Sequence, residues 1–355
     1  MMARIIRMAP QRALLVGGTL LPLLLGLTAC GGSDNEKNGA PAPLRAAPVV
    51  QPLALVVRQP ANATWNDVGR AFGQAGQLMS GGVYRITMPR TDLRVTVHGV
   101  PIRPAFALVS YAAFKRTGAT SMVMGDLALL DREVAPVMAR LVQGGLTVTA
   151  LHNHLLEMSP HVMYLHYEER GSATGLGYNG LGDAVTMAKA LRDALAASGT
   201  PLGNASAGRA GPAAPLDTAT IEKILFGHRG KMAGGVFTVS IARPGTIMEM
   251  GTTLPPAMGT GMAFTFQPLG AGKATVTGDF VLRDLEAPYM LKALLDHGIA
   301  VEALHNHALR DQPHLYYMHV WGLGDARTLA YGIQAGLNQI DHLQGLNGAP
   351  APLPQ

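Results

Sequence analysis

Apolar and polar positions along this chain fall into runs of helical period and runs of alternating period, and the same succession occurs twice. Residues 64–73 (TWNDVGRAFG) have helical spacing behind a Thr64 cap, and residues 218–225 repeat that pattern. Alternating, β-branched or apolar runs follow at 83–88, 93–98 and 105–114, with counterparts at 236–241, 246–250 and 262–268. The first unit continues with a strand at 121–130, a helix at 133–143 closed by Gly144-Gly145, strands at 147–155 and 162–167, and a helix at 183–197 capped by Asp183. This ending predicts an α+β fold: two tandem copies of one domain, each a mainly antiparallel sheet with helices on one face.

The duplication is written in identities as well as in pattern. LHNHLLEMSPHVMYLH at 151–166 recurs as LHNHALRDQPHLYYMH at 304–319, with 9 of 16 positions identical. The 153-residue separation holds upstream, where Gly125-Asp126-Leu127 answers Gly278-Asp279-Phe280 and Gly81-Gly82-Val83-Tyr84 answers Gly234-Gly235-Val236-Phe237. Downstream, Gly182-Asp183-Ala184 answers Gly324-Asp325-Ala326 at a separation of 142, which places an insertion of 11 residues in the first copy around 171–179. The domains are therefore expected at 61–197 and 216–345, joined by a Gly/Ala/Pro-rich linker at 198–215 and followed by a Pro/Ala tail at 346–355, with the copies paired as an intramolecular pseudo-dimer.

Before the first copy the pattern changes. Arg4, Arg7 and Arg12 precede an apolar run that is too short and too interrupted by Gly17, Gly18 and Pro22 for a spanning helix, and residues 1–29 read as a signal peptide. It closes on Leu27-Thr28-Ala29-Cys30, which resembles a bacterial lipobox, and Cys30 is the single cysteine of 355 residues. Lipidation of Cys30 is expected, followed by a flexible tether over 30–60. The expected place is the bacterial cell envelope: an exported, membrane-anchored lipoprotein, on the outer membrane facing the periplasm if the host has two membranes. Gly31 is not the aspartate associated with inner-membrane retention. One cysteine excludes an intramolecular disulfide. The leader holds three arginines and no acid, so its removal lowers the formal net charge from +5 to +2. Without clustered Lys/Arg, the mature chain lacks the footprint of a nucleic-acid binder.

Candidate chemistry rests on histidine. Each copy carries H-x-H, six residues, His, four residues, His: His152, His154, His161 and His166, then His305, His307, His314 and His319, which are 8 of the 12 histidines. Strand alternation puts His152 and His154 on one face and Asn153 on the other. With His166 returning on the next strand, three imidazoles converge, and so do His305, His307 and His319. Three is the ligand number of an open zinc site. Parity leaves His161 and His314 as supporting candidates. Asp126 and Asp279 are placed to orient imidazole N–H groups. Imidazole ligands suit a divalent transition metal, zinc first, with copper, nickel and iron also compatible. Buried, hydrogen-bonded histidines without metal are the competing reading. Glu157 and Asp126 are the candidate catalytic bases if the site is a hydrolase for an envelope peptide, amide or ester. Arg310 stands where the second copy would need Glu157. Whether the protein is an enzyme stays open, as does a non-metal role in binding or scaffolding a cell-envelope ligand.

The lipobox followed by two ALHNH-x6-H-x4-H units, on Ala150–His154, Pro160, His161 and His166 and on Ala303–His307, Pro313, His314 and His319, resembles the LppY/LpqO-type family of bacterial lipoproteins. That resemblance implies export, lipidation and a duplicated domain of unknown function, and no reaction.

Overall fold

A computed structural model describes residues 64–118, 120–170, 183–203 and 213–340. The expected leader, Cys30, the tether, the insertion at 171–179 and the tail lie outside the described residues. Among the described residues no helix is long and apolar enough to cross a membrane.

In the first repeat the strands are β1 (Gln77–Met79), β2 (Val83–Pro89), β3 (Val95–Val97), β4 (Val100–Ile102), β5 (Val109–Thr117), β6 (Thr120–Leu130), β7 (Thr147–Asn153), β8 (Met158–Ser159) and β9 (Val162–Arg170). Its helices are α1 (Trp65–Phe72), α2 (Pro104–Ala107), α3 (Asp131–Gln143) and α4 (Ala184–Leu195). The second repeat has β10 (Gly230–Ala233), β11 (Val236–Ala242), β12 (Met248–Glu249), β13 (Thr252–Thr253), β14 (Gly261–Gly270), β15 (Lys273–Leu282), β16 (Ala300–His305), β17 (Asp311–Gln312) and β18 (Tyr316–Asp325). Its helices are α5 (Thr218–Ile224), α6 (Ala287–Asp296) and α7 (Ala326–Leu337). Each repeat forms a six-stranded antiparallel sheet, ordered β1-β2-β5-β6-β9-β7 and β10-β11-β14-β15-β18-β16, beside a three-stranded one, β4-β3-β8 and β13-β12-β17. The two copies are thus the same α+β domain.

Local chemistry explains the element ends. Thr64 and Asp67 form a reciprocal capping box at α1, and Gly73 ends that helix at φ 86°. Asp183 and Asp325 cap α4 and α7 by accepting from the Thr186 and Thr328 amides. The strand expected at 105–114 begins later, because Pro104 starts the helical turn α2 before β5. The runs at 93–98 and 246–250 shorten to β3 and β12, which join the small sheets instead of the large ones. The linker expected from 198 starts later in space. Gly199 donates its amide to Glu133 (2.8 Å), Thr200 is buried and Leu202 packs against the first helical core.

One face of each large sheet carries the helices. In the first repeat Ile86, Ala112, Phe114, Val123, Leu127 and Leu165 pack against Val137, Leu141, Met187 and Leu191. A buried ion pair pins each α3/α6 start. Fully buried Arg90 reaches Glu133 (2.7 Å) and the Ala128 carbonyl (2.7 Å), and Arg243, 153 residues on, reaches Glu286 (2.7 Å) and the Val281 carbonyl (2.6 Å). The other sheet face turns toward the opposite repeat. Val83, Tyr111, Ala113, Met122 and Met124 share a core with second-repeat residues, and Phe106 meets Trp321 edge-on at 5.8 Å.

Candidate metal centre

β7 and β16 end their sheets, so each presents a free edge that must be covered or paired. They cover each other. Asn153 donates its side-chain amide to the Glu302 carbonyl (3.0 Å) and Asn306 donates to the Thr149 carbonyl (3.1 Å), two bonds related by the same 153 residues. Thr149 also donates its hydroxyl to the His307 carbonyl. Because alternate side chains point to opposite sides, clamping the Asn this way turns the flanking histidines into the space between the repeats.

Register fixes the other members. Asp126 lies opposite His166, and Asp279 lies opposite His319, on neighbouring strands of the large sheets. His152 lies opposite Tyr164 and His305 opposite Tyr317. Gly125 and Gly278 precede the two aspartates at positions of close approach. A Cβ on Gly125 would stand 2.2 Å from the Tyr167 hydroxyl, and one on Gly278 would stand 2.4 Å from Phe264. The Gly-Asp pairs are therefore packing requirements that also deliver a carboxylate to the site.

The two expected ligand sets meet in one cluster. His152 and His305 stack across the joint at 3.4 Å between ring centroids. His154 lies 3.9 Å from His319, and His166 lies 3.9 Å from His307. Tyr164 backs His154 and Tyr317 backs His307, each stacked at 3.3 Å. The expectation of one separate site within each repeat is corrected by this geometry, because the edges that carry the H-x-H motifs are the edges that join. Three sets of donor atoms lie within 4.8 Å of one another: His152, His154 and His319; His152, His166 and His305; and Asp126, His154 and His166.

Hydrogen bonding fixes the free ring nitrogen of two of the histidines. His152 Nδ1–H donates to the Asn153 carbonyl (2.8 Å) and His307 Nδ1–H to the Gly259 carbonyl (3.1 Å), which leaves a lone pair on each Nε2. His319 Nδ1 contacts the Asp279 carboxylate, and His166 bonds the Gly125 backbone. Nε2 of His152, His154, His166, His305, His307 and His319 is buried without a hydrogen-bond partner, as is His305 Nδ1. Burial first, and then neighbouring imidazoles, lower the pKa of His154, His166, His305 and His307, and bring His152 down to about 4. These five rings are neutral at physiological pH. The Asp126 carboxyl is pushed well above its usual range by burial and by nearby Asp279, with Arg85 opposing. Asp126 lies 3.3 Å from His154 Nε2 and 4.0 Å from His166 Nε2.

Other candidates sit elsewhere. Glu157, a candidate base, is exposed at φ 50° and pairs with His98 (3.1 Å), so it does not reach the cluster. His161 and His314 face outward and pair with Asp131 and Asp311, each at 2.7 Å, which removes both as supporting ligands. His98 contacts Glu302 of the other repeat (3.3 Å) and lies tilted against Trp321, 5.4 Å between ring centroids. Sequence reasoning missed Tyr111, which lies opposite Asp126 beneath the Arg85 guanidinium (3.6 Å to the ring centroid) and close to Gly259. No repeated tyrosine signals it, because Ala263 occupies the matching place opposite Asp279.

Comparison with known proteins fits the duplication. No protein with a curated description matches the chain. Among solved structures, a trimeric bacterial microcompartment shell protein PduB is 12% identical, with 79% of this chain and 95% of that one covered, at a TM-score of 0.21. EutL from Clostridium perfringens is 11% identical over 64% and 83%, with a TM-score of 0.17. EutL from Leptotrichia buccalis C-1013-b is 11% identical over 78% and 100%, with a TM-score of 0.18. Likeness at that level carries no argument about fold or assembly. A family model matches residues 66–197 and again 219–339, so the chain belongs, twice over, to the family described as Domain of Unknown Function (DUF1259).

Proposed function

We propose that this protein binds a divalent transition metal, zinc first, through the imidazoles at the joint of its two repeats, and does so as an envelope lipoprotein held to the membrane by lipid on Cys30. The carrying observation is the set of unpartnered inward nitrogens. A buried polar atom left unpaired costs about 1–3 kcal/mol, and lone pairs facing one another cannot satisfy each other. A cation accepts several at once. The outward Nδ1–H bonds of His152 and His307 are the kind of support that fixes a ligand imidazole in its binding tautomer. Donor atoms within 4.8 Å need only small ring movements to reach the roughly 3.4 Å between nitrogens on a tetrahedral zinc with bonds of about 2.1 Å.

Metal analysis of the chain without residues 1–29 tests this beside a variant with His152, His154, His305 and His307 all changed to Ala. Equal metal content in the two proteins refutes the metal reading. Lipidation is tested separately: wild type should partition into detergent and Cys30→Ser should not. A hydrolytic role retains Asp126 as its base, since a bound cation beside that carboxyl would favour its ionised form.

A further inference from the structure

We propose that the joint holds two metal ions, each bound by three histidines drawn from both repeats, with Asp126 between them. The inference rests on the metal-binding reading and adds the number of ions and the division of ligands.

Six imidazoles exceed the four positions of a zinc ion. The nitrogen inventory then divides them. With Nδ1 committed to the Asn153 carbonyl, His152 has only Nε2 to offer and serves one ion. Two of the close sets, His152/His154/His319 and His152/His166/His305, both claim it. Giving His152 to the first leaves His166 and His305 of the second. Their third partner is His307, whose ring lies 3.9 Å from His166. The resulting sets, His152/His154/His319 and His305/His307/His166, are related by the 153-residue repeat. Ring distances obey the same relation: 5.2 and 5.1 Å within the two H-x-H motifs, and 3.9 and 3.9 Å between repeats. His152 stacks on His305 where the two sets adjoin, and the donor atoms of His154 and His166, one from each set, lie within 4.8 Å of one another and of Asp126.

Asp126 gives the independent sign of two ions. It approaches His154 of one set and His166 of the other, at 3.3 and 4.0 Å. A carboxylate in contact with both ligand sets has one oxygen available toward each cation. Its Oδ1 is buried without a hydrogen-bond partner.

The test counts ions. The full chain is loaded with Zn²⁺, desalted and analysed for metal per chain, with far-UV circular dichroism confirming the fold of each variant. Wild type should hold two. His154→Ala with His319→Ala removes two ligands of one set and should leave one ion. His154→Ala with His166→Ala strikes both sets and should leave none. The reverse result for the two double variants assigns each ion to a single repeat and overturns the mixed division. One ion in wild type overturns the two-metal centre while leaving metal binding intact. No ion in wild type overturns both. If an Ala variant fails to fold, wild type loaded with Cu²⁺ supplies the second measurement. Magnetically coupled copper at two equivalents supports the pair, and an uncoupled signal saturating at one equivalent refutes it.

Discussion

Replacing Glu249 with Gln should change how stability depends on pH, in a direction the surroundings of that carboxyl fix. Glu249 on β12 is fully buried. It accepts the Arg310 amide on Oε2 (3.2 Å) and has no partner on Oε1. Asp311 is its cross-strand neighbour, His314 and Arg310 offset part of the negative charge, and Glu168 of the first repeat faces it across the joint. Burial, and after it Asp311, push the Glu249 carboxyl up to about 7 from 4.5. A folded value above the unfolded one means that the folded state keeps its proton longer. Its stabilising contribution is complete below 4.5 and is lost as pH rises through about 7. At about 1.4 kcal/mol per pH unit, the part lost between pH 5.5 and 8.5 is about 2 kcal/mol. For a domain of this size that is roughly 4–8 °C in melting temperature. Gln keeps the shape and removes the titration. Thermal melts of the metal-free chain and of Glu249→Gln across that range should therefore diverge, the variant gaining on wild type as pH rises. Glu168, pushed up to about 8 by burial and then by Glu249 itself, titrates lower in the variant, which widens the divergence in the same direction. Melting-temperature curves that run parallel from pH 5.5 to 8.5 would refute the reasoning.

Three further outcomes follow from the same contacts. Zn²⁺ at 100 times its dissociation constant should stabilise the chain by about 2.7 kcal/mol per ion, so by ~5 kcal/mol for two, and a melt of His152→Ala/His305→Ala should show most of that gain gone. Changing Asn153 and Asn306 together to Ala removes both edge clamps and should cost about 1–3 kcal/mol in urea titration, with weaker zinc binding by competition with a chelator. Arg90→Met strands the buried Glu133 carboxylate and should lower stability by about 3–5 kcal/mol, read as a shift of the urea midpoint at unchanged slope.

Periodicity and self-similarity made much of this visible in the sequence. Alternation along β7 put His152 and His154 on one side and Asn153 on the other, and the returning strand brought His166 back beside them. The repeated Gly-Asp pair pointed to Asp126 and Asp279, which lie inside β6 and β15. What alternation within one repeat does not encode is the partner of an edge. The pairing of β7 with β16 is a relation between copies, and it decides that His154 meets His319 while His166 meets His307. The buried Arg90–Glu133 and Arg243–Glu286 pairs were equally hidden. An arginine beside a proline at a strand end reads as surface until the sheet and helix that enclose it are in place. Pro104 diverted β5 for a local reason that hydrophobic pattern alone overrode.

The repeats also differ where the joint leaves the histidines, and that difference bears on why the site lies in one chain. Glu168 of the first copy answers to Trp321 of the second, and Thr96 answers to Glu249. One end of the joint is consequently a buried acid group of Glu168, Glu249 and Asp311, and the other is aromatic, with Trp321 against Phe106 and His98. In a homodimer of single domains a twofold axis would force both ends to be identical. Fusion into one chain removes that constraint while every histidine of the cluster keeps its mate: His152 with His305, His154 with His307, His166 with His319. Tyr111 and Arg85 approach the cluster from one side only, and Ala263 stands opposite Asp279. Two histidine sets matched in donors but unequal in surroundings would bind the two proposed cations with unequal affinity. Zinc titrated into the metal-free chain should then fill them in two resolved steps, whereas equal steps would mean that the flanking asymmetry does not reach the imidazoles.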